Sequence, residues 1–297
     1  MSTGQGAAYV NGAFVALQEA SVPLLDWGFT KSDATYDVVA VTGGRFFRLD
    51  RHLDRFEASV SALSMSLPVT RAELAAILAE CVRRGGLDDA YVSMTCTRGV
   101  PPAGTRDPRR FKNALYVYAI PYVRIFDAAA RGRAARLHVS DIQRIPPQSV
   151  DPRIKNYHWL DLTRAQIEAL DGGADLPLLV DALGDVTEGF GFNVFAVFDG
   201  IVATPDRGVL EGITRATVFD ICESLEIAVE PRPIAAASLG QADEVFLTST
   251  AGGIMPVGEI DGRAIGDGGM GPVTARIERR YWDWHQDPAQ TTAVADL

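Results

Sequence analysis

The chain has 297 residues, of which 47% are hydrophobic and 22% charged, the balance of a globular protein with a substantial core. Its formal net charge of −10 argues against non-specific binding to nucleic acid or to anionic membranes. The three cysteines and four histidines are scattered, which predicts no disulfide framework and no metal site, and the lack of a signal peptide or of about 20 consecutive apolar residues predicts a cytoplasmic protein.

The first half of the chain shows a hairpin, two further strands, two helices and two more strands. The pair Asn11-Gly12 tolerates positive φ, which predicts the turn of the hairpin. Apolar residues at helical spacing predict the two helices. In chain order, the predicted elements are a hairpin over 8–17, strands within 35–48, helices over 50–63 and 71–84, and strands over 90–97 and 114–120.

The second half begins after a change of composition, since the stretch 123–136 has few bulky apolar residues and is expected to be an interdomain linker with a mobile loop. The tail from Gln286 onward is expected to be frayed. The predicted fold is α+β with mixed sheets and flanking helices, in a small domain over 1–123, a linker over 124–136 and a larger domain over 137–297. The predicted elements beyond the linker are strands near 137–142, 177–181, 192–198, 201–204 and 244–248, and helices over 156–170, 212–225 and 272–285.

Lys155 is one of only three lysines, and its neighbours Ile154, Tyr157 and Trp159 are not typical of a solvated face. An apolar setting lowers the pKa of a lysine and lets it act as a nucleophile or base. Most lysines lie on the surface, however, so this position by itself leaves a structural and a chemical interpretation open.

Three other features could take part in the same chemistry. Glu188 would be either a capping carboxylate before a strand or the partner of a protonated ring nitrogen. The segments 212–214 and 249–253 would be either ordinary caps and turns or phosphate-binding loops that offer backbone N–H groups. Arg55 would lie on a helix, either in solvent or turned inward to the same phosphate.

Five segments, RHLDRF, IKN, TEGFGFN, GVLEGITR and STAGG, occur in the order seen in fold-type IV pyridoxal-phosphate enzymes, and the chain resembles that family from Tyr9 to His285. The resemblance implies two α+β domains with pyridoxal 5′-phosphate between them, in a homodimer whose partner closes each site. It implies that Lys155 forms the Schiff base and is the catalytic residue, and that Glu188 meets the ring nitrogen. The implied cofactor-binding residues are Arg55, Lys155, Glu188, Leu210, Ile213, Thr214 and Thr250.

Within this family the stretches VPLLDWGF, GRFFRLD, RIPP and TPDRGVL look most like (R)-selective amine transaminases, which implies ping-pong transfer from an (R)-amine to a keto acid such as pyruvate. Branched-chain enzymes carry an arginine where Ile120 stands, and the Arg-x-His of D-amino-acid enzymes is also missing, so a substrate carboxylate has no fixed partner. The alternatives are a D-amino-acid or branched-chain aminotransferase, or an aminodeoxychorismate lyase. The implied substrate-binding residues are Lys31, Tyr36, Val38, Tyr118, Ile120, Arg131, Arg133, Trp159 and Ala251.

Three of the implied substrate-binding residues are charged. Lys31 stands where the (R)-amine enzymes carry His or Arg, so it would either contact an anion or narrow the amine pocket. Arg131 or Arg133, in the loop AAARGRAAR, is hypothesised to swing in for a keto-acid carboxylate and out for an apolar group. Both features bear on the substrate range and leave the predicted cofactor chemistry unchanged.

Overall fold

The computed structural model describes residues 5–297. No helix within this range is long and apolar enough to cross a membrane. The α-helices are α1 (Trp27–Lys31), α2 (Leu49–Ala62), α3 (Arg71–Gly85), α4 (Ala128–Arg131), α5 (Leu160–Asp171), α6 (Ile213–Ser224) and α7 (Pro272–His285). The strands are β1 (Ala7–Val10), β2 (Ala13–Ala16), β3 (Ala34–Thr42), β4 (Arg45–Phe47), β5 (Ala90–Thr97), β6 (Ala114–Pro121), β7 (Ala135–Val139), β8 (Leu176–Val180), β9 (Val186–Gly189), β10 (Asn193–Phe198), β11 (Ile201–Thr204), β12 (Val229–Pro231), β13 (Glu244–Ser249), β14 (Gly253–Ile260), β15 (Arg263–Ala264) and β16 (Thr291–Ala293).

The described chain forms two compact units. The first unit runs to Val123 and also contains Ile154–Tyr157 and His285–Leu297. The second unit consists of Arg124–Arg153 and His158–Trp284. Each unit is therefore built from segments that are separated in the sequence.

The predicted domain boundaries place Lys155 in the C-terminal domain, whereas in the structure this residue belongs to the first unit. The reason is hydrogen bonding to β3, because the Lys155 carbonyl accepts from the Tyr36 N–H at 3.0 Å and from the Thr35 hydroxyl at 2.8 Å. Asn156 forms an antiparallel bridge with Thr35, so its backbone is extended. For the same reason α5 begins at Leu160, later than the predicted start near Asn156.

The stretch 124–136 also differs from its prediction, since it belongs to the second unit and is not a separate linker. It contains α4, which begins where the Asp127 carboxylate accepts from the Ala130 N–H at 3.0 Å. Its last two residues are the start of β7, which pairs in parallel with β8 and β14. The stretch contains few bulky apolar residues, which is why no helix or strand was predicted in it. In the structure its small residues form a capped helical turn and the first residues of a strand.

The first unit contains one sheet with the strand order β16-β4-β3-β5-β6-β1-β2. The predicted hairpin is confirmed, since β1 and β2 are joined at Asn11 and Gly12, whose φ values of 53° and 83° are the positive ones that such a turn requires. Residues Phe56, Leu78 and Val92 are completely buried where α2, α3 and the sheet form the core. The predicted helices over 50–63 and 71–84 agree with α2 and α3 to within a residue or two.

The second unit contains a larger sheet with the order β12-β11-β10-β13-β14-β7-β8-β9, and β15 pairs with β14. Leu178 and Leu247 are completely buried in its core. The strands β9 and β14 were not predicted. In β14, Gly253, Pro256 and Gly258 interrupt the apolar pattern. Glu188 lies on strand β9 of this sheet, and Thr250 directly follows the last residue of strand β13.

The C-terminal tail is not frayed, and that prediction is wrong. Strand β16 pairs antiparallel with β4, and the Arg45 Nε donates to the Thr291 hydroxyl at 2.8 Å. The Arg83 guanidinium donates to the carbonyl of Val294 at 2.8 Å, and the Val294 side chain is buried in the core of the first unit. The polar composition of the tail conceals this order, because the pairing partners lie more than 200 residues away.

Candidate functional site

The predicted site residues fall into two sets, one in each unit. The first unit holds Lys31, Tyr36, Val38, Arg55, Tyr118, Ile120 and Lys155. The second unit holds Arg131, Arg133, Trp159, Glu188, Leu210, Ile213, Thr214, Thr250 and Ala251. Within the described range, no group of three or more His, Cys, Asp or Glu side chains is arranged to hold a metal ion.

Lys155 is fastened to the sheet of the first unit by its own backbone. Besides the two bonds that its carbonyl accepts from β3, its Nζ lies 4.5 Å from the centre of the Tyr36 ring. Tyr157 stacks on the same ring at 4.7 Å, and its hydroxyl shares a hydrogen bond of 2.9 Å with that of Thr95. The amine therefore extends from a hydrogen-bonded backbone over an aromatic ring.

The predicted substrate residues of β3 and β6 lie on the same face of this sheet as Tyr36. Val38 pairs directly with Ser93, and Ser93 pairs with Tyr118. One register step further, Ala40, Tyr91 and Ile120 stand side by side, so the face is formed by aromatic, aliphatic and hydroxyl side chains.

Tyr91 on β5 is a member of this face that was not predicted, although its alternation with Ser93 and Thr95 would have placed it there. Its ring lies 6.4 Å from that of Tyr118. Burial raises the pKa of Tyr91, and it also raises that of Tyr36, so both are neutral phenols at ordinary pH. Lys31, by contrast, lies exposed at the end of α1.

Arg55 is held in a buried ionic cluster on the helix side of the sheet. Its Nε and Nη2 donate to the two carboxylate oxygens of Asp37 at 2.7 and 2.9 Å, and the His52 Nδ1 donates to Asp37 at 2.8 Å. Asp37 is completely buried, and burial alone would raise its pKa, but Arg55 and His52 outweigh that effect and hold the pKa well below its usual range. Burial lowers the pKa of His52, so this imidazole is neutral when it donates. Arg55 is thus turned inward to Asp37 and does not lie on a solvated helix face, and its contact with a phosphate stays a prediction.

Glu188 is clamped in the second unit. Its Oε1 accepts from the Arg144 Nε at 3.1 Å, and its Oε2 accepts from the backbone N–H of Leu210 at 3.0 Å. Arg144 also donates to Asp161 at 2.6 Å. Arg144 and Asp161 were not predicted as site residues, although Arg144 lies in the RIPP segment that contributed to the family resemblance.

The start of α6 offers donors to an anion. Gly212 occupies the N-cap position without a side-chain cap, and Ile213 and Thr214 form the first turn of this 12-residue helix. A side chain at Gly212 would lie 2.2 Å from the Asn193 Oδ1, and Asn193 donates to the carbonyl of Leu210 at 2.9 Å, so the loop needs glycine for close packing. A helix start of this kind leaves backbone N–H groups and the positive end of the helix dipole available to a phosphate.

Two glycines of TEGFGFN are required by packing within the protein. A side chain at Gly189 would lie 2.1 Å from the Phe192 ring, and Gly191 has a φ of +85°. The Ser249 hydroxyl donates to the Gly191 carbonyl at 2.9 Å, and the Ser249 Oγ accepts from the Ala251 N–H at 3.1 Å. The loop of Thr250 and Ala251 is thereby tied to the strand end next to Glu188. Trp159, at the N-cap of α5, packs edge-on against Phe190 with ring centres 5.0 Å apart.

The two arginines of the predicted mobile loop are bound to one carboxylate. The Arg133 guanidinium donates to both oxygens of Asp175, at 2.6 and 2.7 Å, and Arg131 approaches the same side chain at 3.3 Å. Both also lie over the ring of Phe126. The hypothesised swing toward a substrate carboxylate therefore requires these ion pairs to break.

Comparison with known proteins shows which enzymes this chain is similar to. Residues 34–260 match the family model for amino-transferase class IV. A putative branched-chain-amino-acid aminotransferase of Methanocaldococcus jannaschii is 33% identical over 278 residues, which cover 93% of this chain and 95% of that protein. A D-alanine aminotransferase of Listeria monocytogenes is 30% identical over 279 residues, which cover 92% of this chain and 93% of that protein.

Solved structures agree with these relatives. The T.th. branched-chain amino acid aminotransferase with pyridoxamine 5′-phosphate has a TM-score of 0.91 at 31% identity, and the alignment covers 98% of this chain and 99% of that one. The branched-chain aminotransferase from Thermoproteus uzoniensis with norvaline has a TM-score of 0.90 at 28% identity, covering 98% and 100%.

Proposed function

The chain belongs to the class IV aminotransferases, which use pyridoxal phosphate, and from this premise we propose that it transfers the amino group of an (R)-configured primary amine to a keto acid such as pyruvate. Lys155 is proposed as the residue that carries the cofactor and moves the substrate proton. The remaining predicted residues of each unit are proposed to bind the cofactor or the substrate. The fold is that of the fold-type IV aminotransferases.

The residues present fit the cofactor. Pyridoxal phosphate, when bound, would supply an electron sink for the electron pair that remains on the substrate carbon after Lys155 removes its proton. The open start of α6 suits its phosphate, and a buried guanidinium such as that of Arg55 is a second donor for an anion. The carboxylate of Glu188, held at both oxygens, is suited to a protonated ring nitrogen. The backbone of Lys155 is hydrogen-bonded to β3, which holds the base of this side chain in place while its amine moves a proton.

The observation that carries the choice of substrate is the uncharged face beside Lys155. The side chains of Tyr36, Val38, Tyr91, Tyr118 and Ile120 share this face, and none of them is cationic. An α-carboxylate placed here would lose its water without gaining a fixed positive partner, whereas an amine with apolar substituents would lose little. The aromatic side chains favour an amine that carries a ring.

A second candidate is an aminotransferase for branched-chain amino acids. It is favoured by the names of relatives and solved structures that are 31–33% identical to this chain. In that case the substrate carboxylate would need a cation such as Lys31 at the exposed end of α1. The D-alanine aminotransferases among the relatives make D-amino acids a third class.

A substrate panel tests the proposal. The purified protein loaded with pyridoxal phosphate is given (R)- or (S)-1-phenylethylamine with pyruvate, D-alanine or L-leucine with 2-oxoglutarate, and aminodeoxychorismate alone. We expect the highest kcat/KM for the (R)-amine and little reaction with the (S)-amine. A higher kcat/KM for L-leucine or D-alanine would overturn the proposal in favour of an amino acid aminotransferase. Release of pyruvate from aminodeoxychorismate would identify a lyase.

The arginine pair provides a prediction about the acceptor. Arg133→Ala is expected to raise the KM for pyruvate about tenfold, because the carboxylate loses a charge-assisted hydrogen bond, and to leave the KM for the amine unchanged. Arg131→Ala is expected to have the same selectivity. Arg207→Ala, at an exposed ion pair of the same unit, serves as the control. Steady-state kinetics in both substrates distinguish this from a general defect, which would raise both KM values alike.

We also propose that the enzyme is a homodimer. The segment before and within α1 exposes Val22, Leu24, Leu25 and Phe29, whose exposed fractions are 48%, 72%, 63% and 67%. Large apolar side chains exposed so close together in the sequence favour association. Sedimentation of the Leu24→Asp variant is expected to show monomers, while Leu183→Asp, at an isolated exposed leucine, is expected to remain dimeric. A monomeric wild-type protein would contradict the proposal.

A further inference from the structure

Arg144 bridges two carboxylates in the second unit. Its Nη1 donates to the Asp161 Oδ2 at 2.6 Å, and its Nε donates to the Glu188 Oε1 at 3.1 Å. Asp161 is itself fixed, because its Oδ2 accepts from the Ile145 N–H at 2.9 Å and its Oδ1 accepts from the Leu162 N–H at 2.8 Å. The guanidinium is thus held at one end by a carboxylate that cannot turn, and its other end reaches Glu188.

All three charges of this bridge are buried. The exposed fractions of the side chains are 9% for Arg144, 8% for Asp161 and 9% for Glu188. Burial alone would lower the pKa of Arg144, but the two carboxylates outweigh it and hold that pKa above its usual value, so the guanidinium stays charged. A buried ion pair costs desolvation free energy, which only a favourable geometry offsets. The geometry in this case concerns the carboxylate of Glu188.

The orientation of that carboxylate is set from two sides. Arg144 binds one oxygen, and the Leu210 N–H binds the other at 3.0 Å. With either donor missing, the carboxylate would lose one of these two restraints on rotation about its last side-chain bond, which has a broad rotational preference. The Leu210 N–H belongs to the backbone and could be removed only by proline, which would also restrict the φ angle of the loop. Arg144 is therefore a side chain through which the orientation of Glu188 can be altered.

We propose that Arg144 is a positioning residue, which directs the Glu188 carboxylate at the ring nitrogen of pyridoxal phosphate, and that Asp161 positions Arg144. This inference rests on the proposed role of Glu188 and does not depend on the identity of the amine substrate. Arg144 itself does not touch the cofactor in this scheme. Its effect passes through one contact, so it is felt only by a ligand that possesses a ring nitrogen.

A comparison of two ligands tests the proposal without any measurement of turnover. Apo protein is titrated with pyridoxal phosphate and with its analogue in which carbon replaces the ring nitrogen. The dissociation constants are measured by absorbance for the wild type and each variant. Arg144→Gln is expected to raise the dissociation constant of pyridoxal phosphate by about 10- to 100-fold, because a hydrogen bond to a charged group contributes a free energy of that size. The dissociation constant of the analogue is expected to stay unchanged. Glu188→Gln is expected to show the same selectivity, and Asp161→Asn a smaller loss in the same direction.

The controls separate this role from a structural one. Arg144→Lys keeps the charge but cannot bind both carboxylates as the planar guanidinium does, so we expect a partial and still selective loss in a folded protein. Arg207→Gln removes an exposed arginine of the same unit and should change neither constant. Equal losses for the two ligands in Arg144→Gln and Arg144→Lys would overturn the proposal. It would also fall if Glu188→Gln showed no selectivity, an outcome that leaves the substrate panel unaffected.

Discussion

Lys155→Ala is expected to lower kcat for amine transfer by roughly 10⁴-fold, the upper range for a general acid–base group. The variant should also lose the absorbance band of the lysine-bound cofactor, because no other amine is fixed in that position. The effect is large since one side chain is proposed both to carry the cofactor and to move the substrate proton. Single-turnover kinetics and an absorbance spectrum measure the two losses separately.

The fold should survive this change. The contacts that hold the segment to β3 are made by the Lys155 carbonyl, which alanine retains. The melting temperature of the apo variant is therefore expected to stay close to that of the wild type. Lys112→Ala, at an exposed lysine of the same unit, is the matched control and should leave both turnover and spectrum intact. Normal turnover by Lys155→Ala would refute the proposed chemistry.

Asp37→Asn is expected to lower the free energy of unfolding by about 3–5 kcal/mol, the usual cost of breaking a buried ion pair from one side. The asparagine would leave the Arg55 guanidinium without its bidentate partner in a region where water cannot replace it. His52 would lose the acceptor of its Nδ1 proton as well. Because Arg55 is proposed to bind the cofactor phosphate, the apo variant should also bind pyridoxal phosphate more weakly.

The same carboxylate predicts a pH dependence with a definite sign. The pKa of Asp37 is lower in the folded protein than its ordinary value of 3.8, so its contribution to stability is complete above that value and is lost as the pH falls through the window below it. We expect the free energy of unfolding of the wild type to fall more steeply between about pH 4 and about pH 2 than that of Asp37→Asn. Urea unfolding at several pH values measures both slopes.

An exposed ion pair provides the comparison for Asp37. Asp107 binds Arg109 at 2.7 Å, but the Arg109 side chain is 85% exposed, so water can take over either partner. Asp107→Asn should therefore change the free energy of unfolding very little. If Asp37→Asn were equally mild, the buried cluster would not stabilise the first unit as described.

Residues whose signals are local were predicted well from the sequence. The turn at Asn11-Gly12 and the helices α2 and α3 depend on neighbours within a few positions, and their patterns appear directly in the sequence. The family resemblance added the functional candidates, among them Lys155 and Glu188. Their structural settings agree with the expected chemistry, and their roles remain proposals.

Residues whose significance comes from distant partners were missed. Asp37, Arg144 and Asp175 look like solvated charges in the sequence, yet each is paired across 17 to 44 positions with a residue of opposite charge. Strand β16 was missed for the same reason, since its partner β4 lies at the other end of the chain. Hydrophobic periodicity reports burial along one element and contains no information about which charged side chains meet.

The attachment of Lys155 to β3 has a consequence for the order of folding. The bond from the Thr35 hydroxyl to the Lys155 carbonyl joins positions 120 residues apart, so its formation costs the entropy of closing a long loop. Lys155 is held at β3 only in a chain in which these two distant segments have met. Cofactor loading will then occur only on chains that have nearly finished folding, and each loaded molecule is withdrawn from the unfolding equilibrium by mass action. Supply of the vitamin-derived cofactor during expression should accordingly raise the yield of native protein.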